Sequence, residues 1–346
     1  MHEASGAEAR GDAVARLERF LARYPSDPEY TPDAMFRLGE LYYEESSESF
    51  NSAYAAMERE AGGEEVPLEP DFSRTIELYR VIAQRFPEFR SVDGVYYLLG
   101  YGLIEMGRTE EAKRAFLALV CHNHYAYGAP YEESGLVNPL PAAERTPEEA
   151  SDAPTGYDPY GGCEPVVAGS RFASEAWFRI GEIHFDRPRE AFAYDFAISA
   201  YGKILSNPGD TNYDLALYKV AWTYYRAGVF DEAVRRFVSI LDFAERHRVG
   251  SGRSGGDLRP EALRQLGHAL ANDDWNENGV PDANEGLPSG IARAIDPELV
   301  PQDRPFAFEV LARLGRVYHE EARFDRAIEA WRTAVDRFPT HRDAPQ

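Results

Sequence analysis

The feature that most constrains this chain is that it repeats itself. Counting from Leu311, the residues Leu314, Gly315, Tyr318, Ala327, Trp331, Ala334 and Pro339 stand at offsets 3, 4, 7, 16, 20, 23 and 28. Offsets of 3, 4 and 7 keep side chains on one face of an α-helix, and the same period resumes after a break short enough for a turn. Small residues at Gly315 and Ala327 let two helices cross closely. Leu311, Leu314, Tyr318 and Trp331 are then expected to fill the layer between units. Pro339 ends the second helix, because it has no N–H for the next backbone bond. A hairpin of this kind cannot bury its apolar face alone, so one copy predicts neighbours.

The neighbours are present. Leu217, Val220, Ala221 and Tyr224 with Ala233, Phe237 and Ile240 keep the spacing, as do Tyr96, Leu99, Gly100 and Leu103 with Ala112, Phe116 and Leu119. In two more copies the halves are pushed apart: Met35, Leu38, Gly39 and Tyr42 answer to Thr75, Tyr79, Ile82 and Pro87, and Trp177, Ile180, Gly181 and His184 answer to Ala197, Tyr201 and Ile204. Leu263, Leu266, Gly267 and Leu270 form a further first helix, and Ala13, Leu17, Phe20 and Pro25 a second helix with no first helix before it. The chain thus reads as N-terminal repeats over 9–121 with an insertion at 46–69, a Pro/Gly/Tyr-rich insertion at 122–169, and C-terminal repeats over 170–346. The unmatched helix at the front, and His341 to Gln346 where a further first helix would begin, suggest a piece of a longer protein.

This pattern, in about 34 residues per unit, resembles the tetratricopeptide repeat. The resemblance covers most of the chain outside the insertions. It implies an all-α fold, a right-handed α-solenoid of helix–turn–helix repeats with long loop insertions, and a concave groove lined by the first helices. Wording such as Ala34 to Tyr42 and Phe86-Pro87 is similar in style to members from the bacterial envelope, among them a lipoprotein of outer-membrane β-barrel assembly and a periplasmic cell-division coordinator. The resemblance implies a scaffold for protein or peptide partners rather than an enzyme. Its groove positions fall on Phe36, Glu40, Tyr43, Tyr97, Tyr101, Phe178, Glu182, Phe185, Tyr218, Trp222 and Tyr225. This aromatic stripe either packs against the insertions, so that the groove fills itself, or forms a docking face, since aromatic rings give much contact area for little lost freedom. Glu40 and Glu182 would favour a segment carrying Lys or Arg. Later repeats lose the aromatics, with Arg264, His268, Arg316 and His319 at the same positions.

The three insertions interrupt this pattern. In the first, 50–61 suits an extra helix and 62–67 a loop. The second contains Tyr157-Asp158-Pro159-Tyr160-Gly161-Gly162 and is bracketed by Cys121 and Cys163. In an oxidising compartment a bridge between these would shut the loop; in a cytoplasm they would stay reduced, and two unrelated thiols is the other reading. Cys121-His122-Asn123-His124 lacks a second ligand pair at a metal-binding spacing.

The third insertion contains Asp274-Trp275-Asn276-Glu277-Asn278-Gly279-Val280-Pro281-Asp282-Ala283-Asn284-Glu285. Oxygen side chains stand at positions 1, 3 and 5, Gly at 6 and Glu at 12, which is what a twelve-residue calcium loop requires. It resembles the EF-hand loop and, more closely, the calcium loops of thrombospondin type 3 and dockerin-like repeats. Pro281 departs from the EF-hand, because it cannot donate the backbone bond that pairs two such loops. The expectation is one structural Ca²⁺ held by Asp274, Asn276, Asn278, the Val280 carbonyl and Glu285, with Asp282 acting directly or through water. An acidic, solvated turn is the alternative.

Composition narrows the function classes. Lys and Arg number 37 against 59 Asp and Glu, a net charge of −22, which repels phosphate backbones and anionic membrane surfaces. Glu44-Glu45, Glu58 with Glu60, Glu64-Glu65 and Glu132-Glu133 are the clusters. No apolar run suits a membrane span, so no direct membrane insertion is expected. The start lacks the basic, then apolar, pattern of a secretory signal. No Gly-x-Ser-x-Gly, phosphate loop, His-Glu-x-x-His or dinucleotide fingerprint occurs. The expected role is a scaffold in the periplasm or cell envelope. A cytoplasmic adaptor or co-chaperone, and a helical domain attached to an envelope enzyme, remain as alternatives.

Overall fold

The computed structural model describes residues 2–60, 70–128, 156–190, 192–247 and 258–344. Among these there are fourteen helices and no strand. The chain divides into two compact units, Met1–Asn138 with Tyr160–Ile183, and Pro139–Pro159 with His184–Gln346.

The first unit contains α1 (His2–Arg23), α2 (Tyr30–Glu60), α3 (Ser73–Arg85), α4 (Val92–Glu105), α5 (Thr109–Val120) and most of α6 (Ala173–Phe185). From α1 to α5 each helix packs on the next in chain order. The second contains α7 (Ala193–Leu205), α8 (Tyr213–Arg226), α9 (Phe230–His247), α10 (Arg259–Ala271), α11 (Asp282–Glu285), α12 (Gly290–Ala294), α13 (Ala307–Glu320) and α14 (Phe324–Arg337). Here α7 to α10 pack in order, α10 then packs on α13, and α13 on α14. Within each unit this is the packing of an α-solenoid of helical hairpins, with α2 and α4 in the first and α8, α10 and α13 in the second as the first helices expected from the spacing.

Three hairpin turns share one construction. Arg108 N donates to the Leu103 carbonyl, Val229 N to Tyr224 and Arg323 N to Tyr318, at 2.8, 3.0 and 2.8 Å, each reaching back five residues into the last turn of the helix. Such a turn needs a left-handed residue, supplied by Gly107 at φ 67°, Gly228 at φ 71° and, unusually, Ala322 at φ 59°.

The crossing within a hairpin is closer than the spacing alone suggests. A Cβ on Gly39 would lie 2.6 Å from Cε1 of Tyr79, and one on Gly100 2.6 Å from Cε1 of Phe116. The second-helix aromatic therefore seats on the first-helix glycine of its own hairpin. Trp331 does the same over Gly315, and its Nε1 donates to the Ala312 carbonyl at 3.2 Å. Trp331 thus does not fill a layer between units; it stays 38% exposed.

The insertions differ in kind. Residues 50–60 form no separate helix but continue α2, because nothing from Glu44 to Glu60 is Gly or Pro. Residues 61–69, with the loop at 62–67 and Glu64-Glu65, lie outside the described residues, as do 129–155 with Glu132-Glu133. What is described of the second insertion is tied to the end of α5. Cys121 and Cys163, 42 positions apart in sequence, form a disulfide with their Cα atoms 4.4 Å apart. His122 N donates to the Glu164 carbonyl at 2.8 Å and Val166 N to the Leu119 carbonyl at 2.9 Å. Asn123 clasps the same strand of chain, its Nδ2 donating to Gly162 and its Oδ1 accepting from Glu164 N. In the third insertion, α10 has no full-length partner: α12 packs on α10 and α13 in its place. Gly290, which opens α12, sits directly against the Leu270 carbonyl and the Tyr318 hydroxyl, leaving no room for a side chain.

Candidate functional site

In the first unit, the expected groove positions are partly occupied by the chain itself. Tyr43 on α2 stacks on Phe72, with centroids 4.6 Å apart and planes at 14°. Tyr97 on α4 stacks on Phe172 at 4.7 Å and 18°, and lies 6.2 Å from Tyr101. Phe72 and Phe172 are the residues at which the chain re-enters the array after the first two insertions, just ahead of α3 and α6. Phe36 lies 5.8 Å from Tyr79 and 6.0 Å from Phe89. The Arg179 guanidinium stands 5.8 Å from the Tyr101 ring. Glu40 is paired with Arg37 on its own helix at 2.8 Å, so part of its charge is already answered. Phe178 is buried and Glu182 half-buried.

In the second unit the aromatics form a continuous ribbon. Tyr218 and Trp222 on α8 are 6.3 Å apart, Trp222 and Tyr225 5.4 Å, Tyr225 and Phe230 5.6 Å, and Phe230 and Trp275 6.1 Å. All but Phe230 are half-buried. Phe185 is flanked by two cations, the Lys219 ammonium at 4.9 Å and the Arg226 guanidinium at 4.4 Å. Burial raises the phenol pKa of Tyr43, Tyr97, Tyr218 and Tyr225 above its ordinary value, so these hydroxyls stay protonated and can donate. Phe72, Phe172, Phe230 and Trp275 were missed from the sequence because they lie at helix starts or in a loop, outside any first-helix position.

The loop at 274–285 is folded on itself. The Asp274 carboxylate accepts from Asn278 N at 3.1 Å and Gly279 N at 2.9 Å. Asn278 Oδ1 accepts from Val280 N at 2.8 Å. The amides of Asn276 and Asn278 both donate to Glu285, at 2.9 and 2.8 Å, one to each carboxylate oxygen. Position 12 is thereby brought back across positions 3 and 5, as a closing ligand would be. Asp282 behaves differently. It is 2% exposed, its Oδ2 lies 2.5 Å from Arg293 Nη2, and its Oδ1 accepts from Trp275 N at 3.1 Å. Arg293 also donates to the Asn272 carbonyl and stands 3.8 Å from the Trp275 ring. Asp282 thus ties the loop to α12. Among the described residues, no three His, Cys, Asp or Glu side chains form a group able to hold a metal by themselves.

His184, at a repeat position of α6, is a core residue, 2% exposed and stacked on Phe196 at 4.8 Å. No described helix is long and apolar enough to cross a membrane.

No curated protein matches the chain. A sequence model of the tetratricopeptide repeat matches residues 94–120 and 308–341, which are the α4–α5 and α13–α14 hairpins. These two hairpins share the Gly-under-aromatic crossing and the left-handed turn, and the chain carries tetratricopeptide repeats there.

Proposed function

We propose that this chain is a non-enzymatic scaffold of a bacterial cell-envelope complex that holds a protein or peptide segment on the aromatic faces of its first helices. The observation that carries the reading is the ribbon Tyr218–Trp222–Tyr225–Phe230–Trp275, four half-buried rings joined through the buried Phe230. Rings so held have little freedom left to lose on binding, which is the usual make-up of an interface hot spot. The acidic balance of the chain favours a partner segment with Lys or Arg. In the first unit Tyr43 and Tyr97 already stack on the chain itself, so the ribbon of the second unit is the stronger docking face. The envelope assignment draws its support from the Cys121–Cys163 bridge, a linkage that persists in oxidising compartments. Panning a phage-displayed peptide library tests the reading. Wild type is expected to enrich basic peptides, and Tyr218→Ala with Trp222→Ala to lose that enrichment at least tenfold; equal enrichment by a folded double variant would refute it.

We propose further that the loop at 274–285 takes one Ca²⁺ in a structural role. A hard cation wants six to eight oxygens, and Asp274, Asn276, Asn278, the Val280 carbonyl and both oxygens of Glu285 are the candidates. The convergence of Asn276 and Asn278 on Glu285 fits that set, whereas Asp282 serves as the anchor. Calorimetry with CaCl₂ on wild type and Asp274→Ala checks it. Uptake of one ion by wild type alone is expected, and identical traces would remove the proposal.

A further inference from the structure

The loop at 274–285 touches the aromatic ribbon of the second unit through the residues that alternate with its candidate ligands. Positions 1, 3 and 5 are Asp274, Asn276 and Asn278, and Trp275 and Glu277 stand between them. The Trp275 ring lies 6.1 Å from Phe230, its Nε1 donates to the Ala269 carbonyl at 3.0 Å, and the Arg293 guanidinium stands 3.8 Å from it. Glu277 reaches the turn that precedes α9. A Cβ on Gly228 would fall 2.1 Å from Cδ of Glu277, so that carboxylate lies directly against the turn. Within the turn Gly228 N donates to the Tyr225 carbonyl at 3.2 Å, and the Tyr225 ring lies 5.6 Å from Phe230. Glu277 also holds a left-handed backbone, φ 52°, a conformation that a non-glycine residue keeps only where its surroundings fix it.

We infer that Ca²⁺ in this loop strengthens docking on the ribbon, acting through Trp275 and Glu277; the inference rests on the docking and calcium readings. Positions 1, 3, 5 and 12 are joined by hydrogen bonds from Asn amides and backbone N–H groups. A divalent cation shared by the same oxygens binds them in one arrangement. Trp275 and Glu277 each have a ligand on either side in the chain, so fixing the ligands fixes the end ring of the ribbon and the carboxylate on its turn. The incoming segment then meets rings already ordered, and less of its binding energy is lost to ordering them. The linkage is reciprocal, so a docked segment raises the affinity for the ion by the same factor.

The probe is the basic peptide most enriched when wild type is panned in CaCl₂, labelled with fluorescein and titrated by anisotropy in CaCl₂ and in EGTA. Binding about fivefold or more tighter in CaCl₂ is expected, with the same factor in calcium affinity when calorimetry is repeated on the peptide complex. Asp274→Ala controls for screening by the salt and should bind the peptide alike in both solutions. Glu277→Gly keeps every ligand and suits the left-handed backbone, as does the milder Glu277→Asn; both should still take up the ion, with the factor reduced. Equal peptide affinity in the two solutions, from wild type that takes up one ion, would overturn the inference and leave both readings standing. A factor unchanged in both Glu277 variants would overturn it as well, because the contact with the turn would then carry nothing. Absence of ion uptake would remove the calcium reading, and absence of any enriched peptide the docking reading, each taking the inference with it.

Discussion

Ala322 occupies a left-handed turn position that glycine fills at the equivalent points of two other hairpins, Gly107 and Gly228. An L-residue pays about 1–2 kcal/mol for this conformation, and glycine gives back part of that in unfolded-state entropy. Ala322→Gly is therefore expected to stabilise the second unit by roughly 0.5–1 kcal/mol, seen as a higher thermal midpoint; a lower one would mean the Ala322 methyl makes a contact worth more than the strain. Arg293 presents the opposite case. It and Asp282 have side chains only 5% and 3% exposed, so removing one leaves a buried charge without its partner. Arg293→Met should cost on the order of 3–5 kcal/mol, and adding Asp282→Leu should recover a good part of it. Urea unfolding of the single and double variants measures both, and an additive second loss would show that the pair is not acting as a unit. The crossing glycines were legible in the sequence because a repeat displays them several times over, whereas the turn glycines Gly107 and Gly228 stand out only once the hairpin ends are seen. The Arg293–Asp282 pair was not legible, because its members lie in the one region with no second copy to compare.

Helices show the same division between what a pattern reveals and what it hides. The twelve-to-eighteen-residue helices that carry the repeat spacing stand where the spacing put them, each with its apolar face turned to a neighbour. The continuation of α2 past Glu44 was harder to foresee, because a stretch with neither a breaker nor a second face to bury gives no boundary signal. Nor did the spacing show that α12, five residues long, would stand in for a whole second helix. It manages this because Gly290 lets its backbone meet α10 directly, while Ser289 caps its start by accepting from Ala292 N at 3.3 Å. The bridge between α5 and the segment before α6 belongs to this scale too. Cys121→Ala with Cys163→Ala is expected to lower stability by roughly 3–4 kcal/mol through the freed loop entropy. Differential scanning calorimetry decides it: an unmoved transition for the first unit would mean that the backbone bonds to Glu164 and Leu119 suffice alone.

Taken whole, the molecule is strongly acidic, and several of its described arginines are committed to carboxylates on their own helix. Arg179–Glu175, Arg235–Asp231 and Arg326–Glu329 are pairs three or four residues apart on one helix, each partly exposed and worth little to stability. Apolar packing between consecutive helices, rather than charge, fixes each unit, and the excess of acid is left to act on what approaches from outside. The Cys121–Cys163 bridge has a consequence of a different sort. A peptide bond broken anywhere between those two positions leaves a single covalent molecule, because the sulfurs still join what lies before the break to what lies after it. Cys121 is fully buried at the end of α5 and Cys163 half-buried, and the two fragments would part only once a reductant opened the bond between them. In a compartment rich in proteases and poor in thiols, the longest interruption of this array is thus a stretch that can be nicked, lengthened or exchanged while α5 and α6 remain tethered.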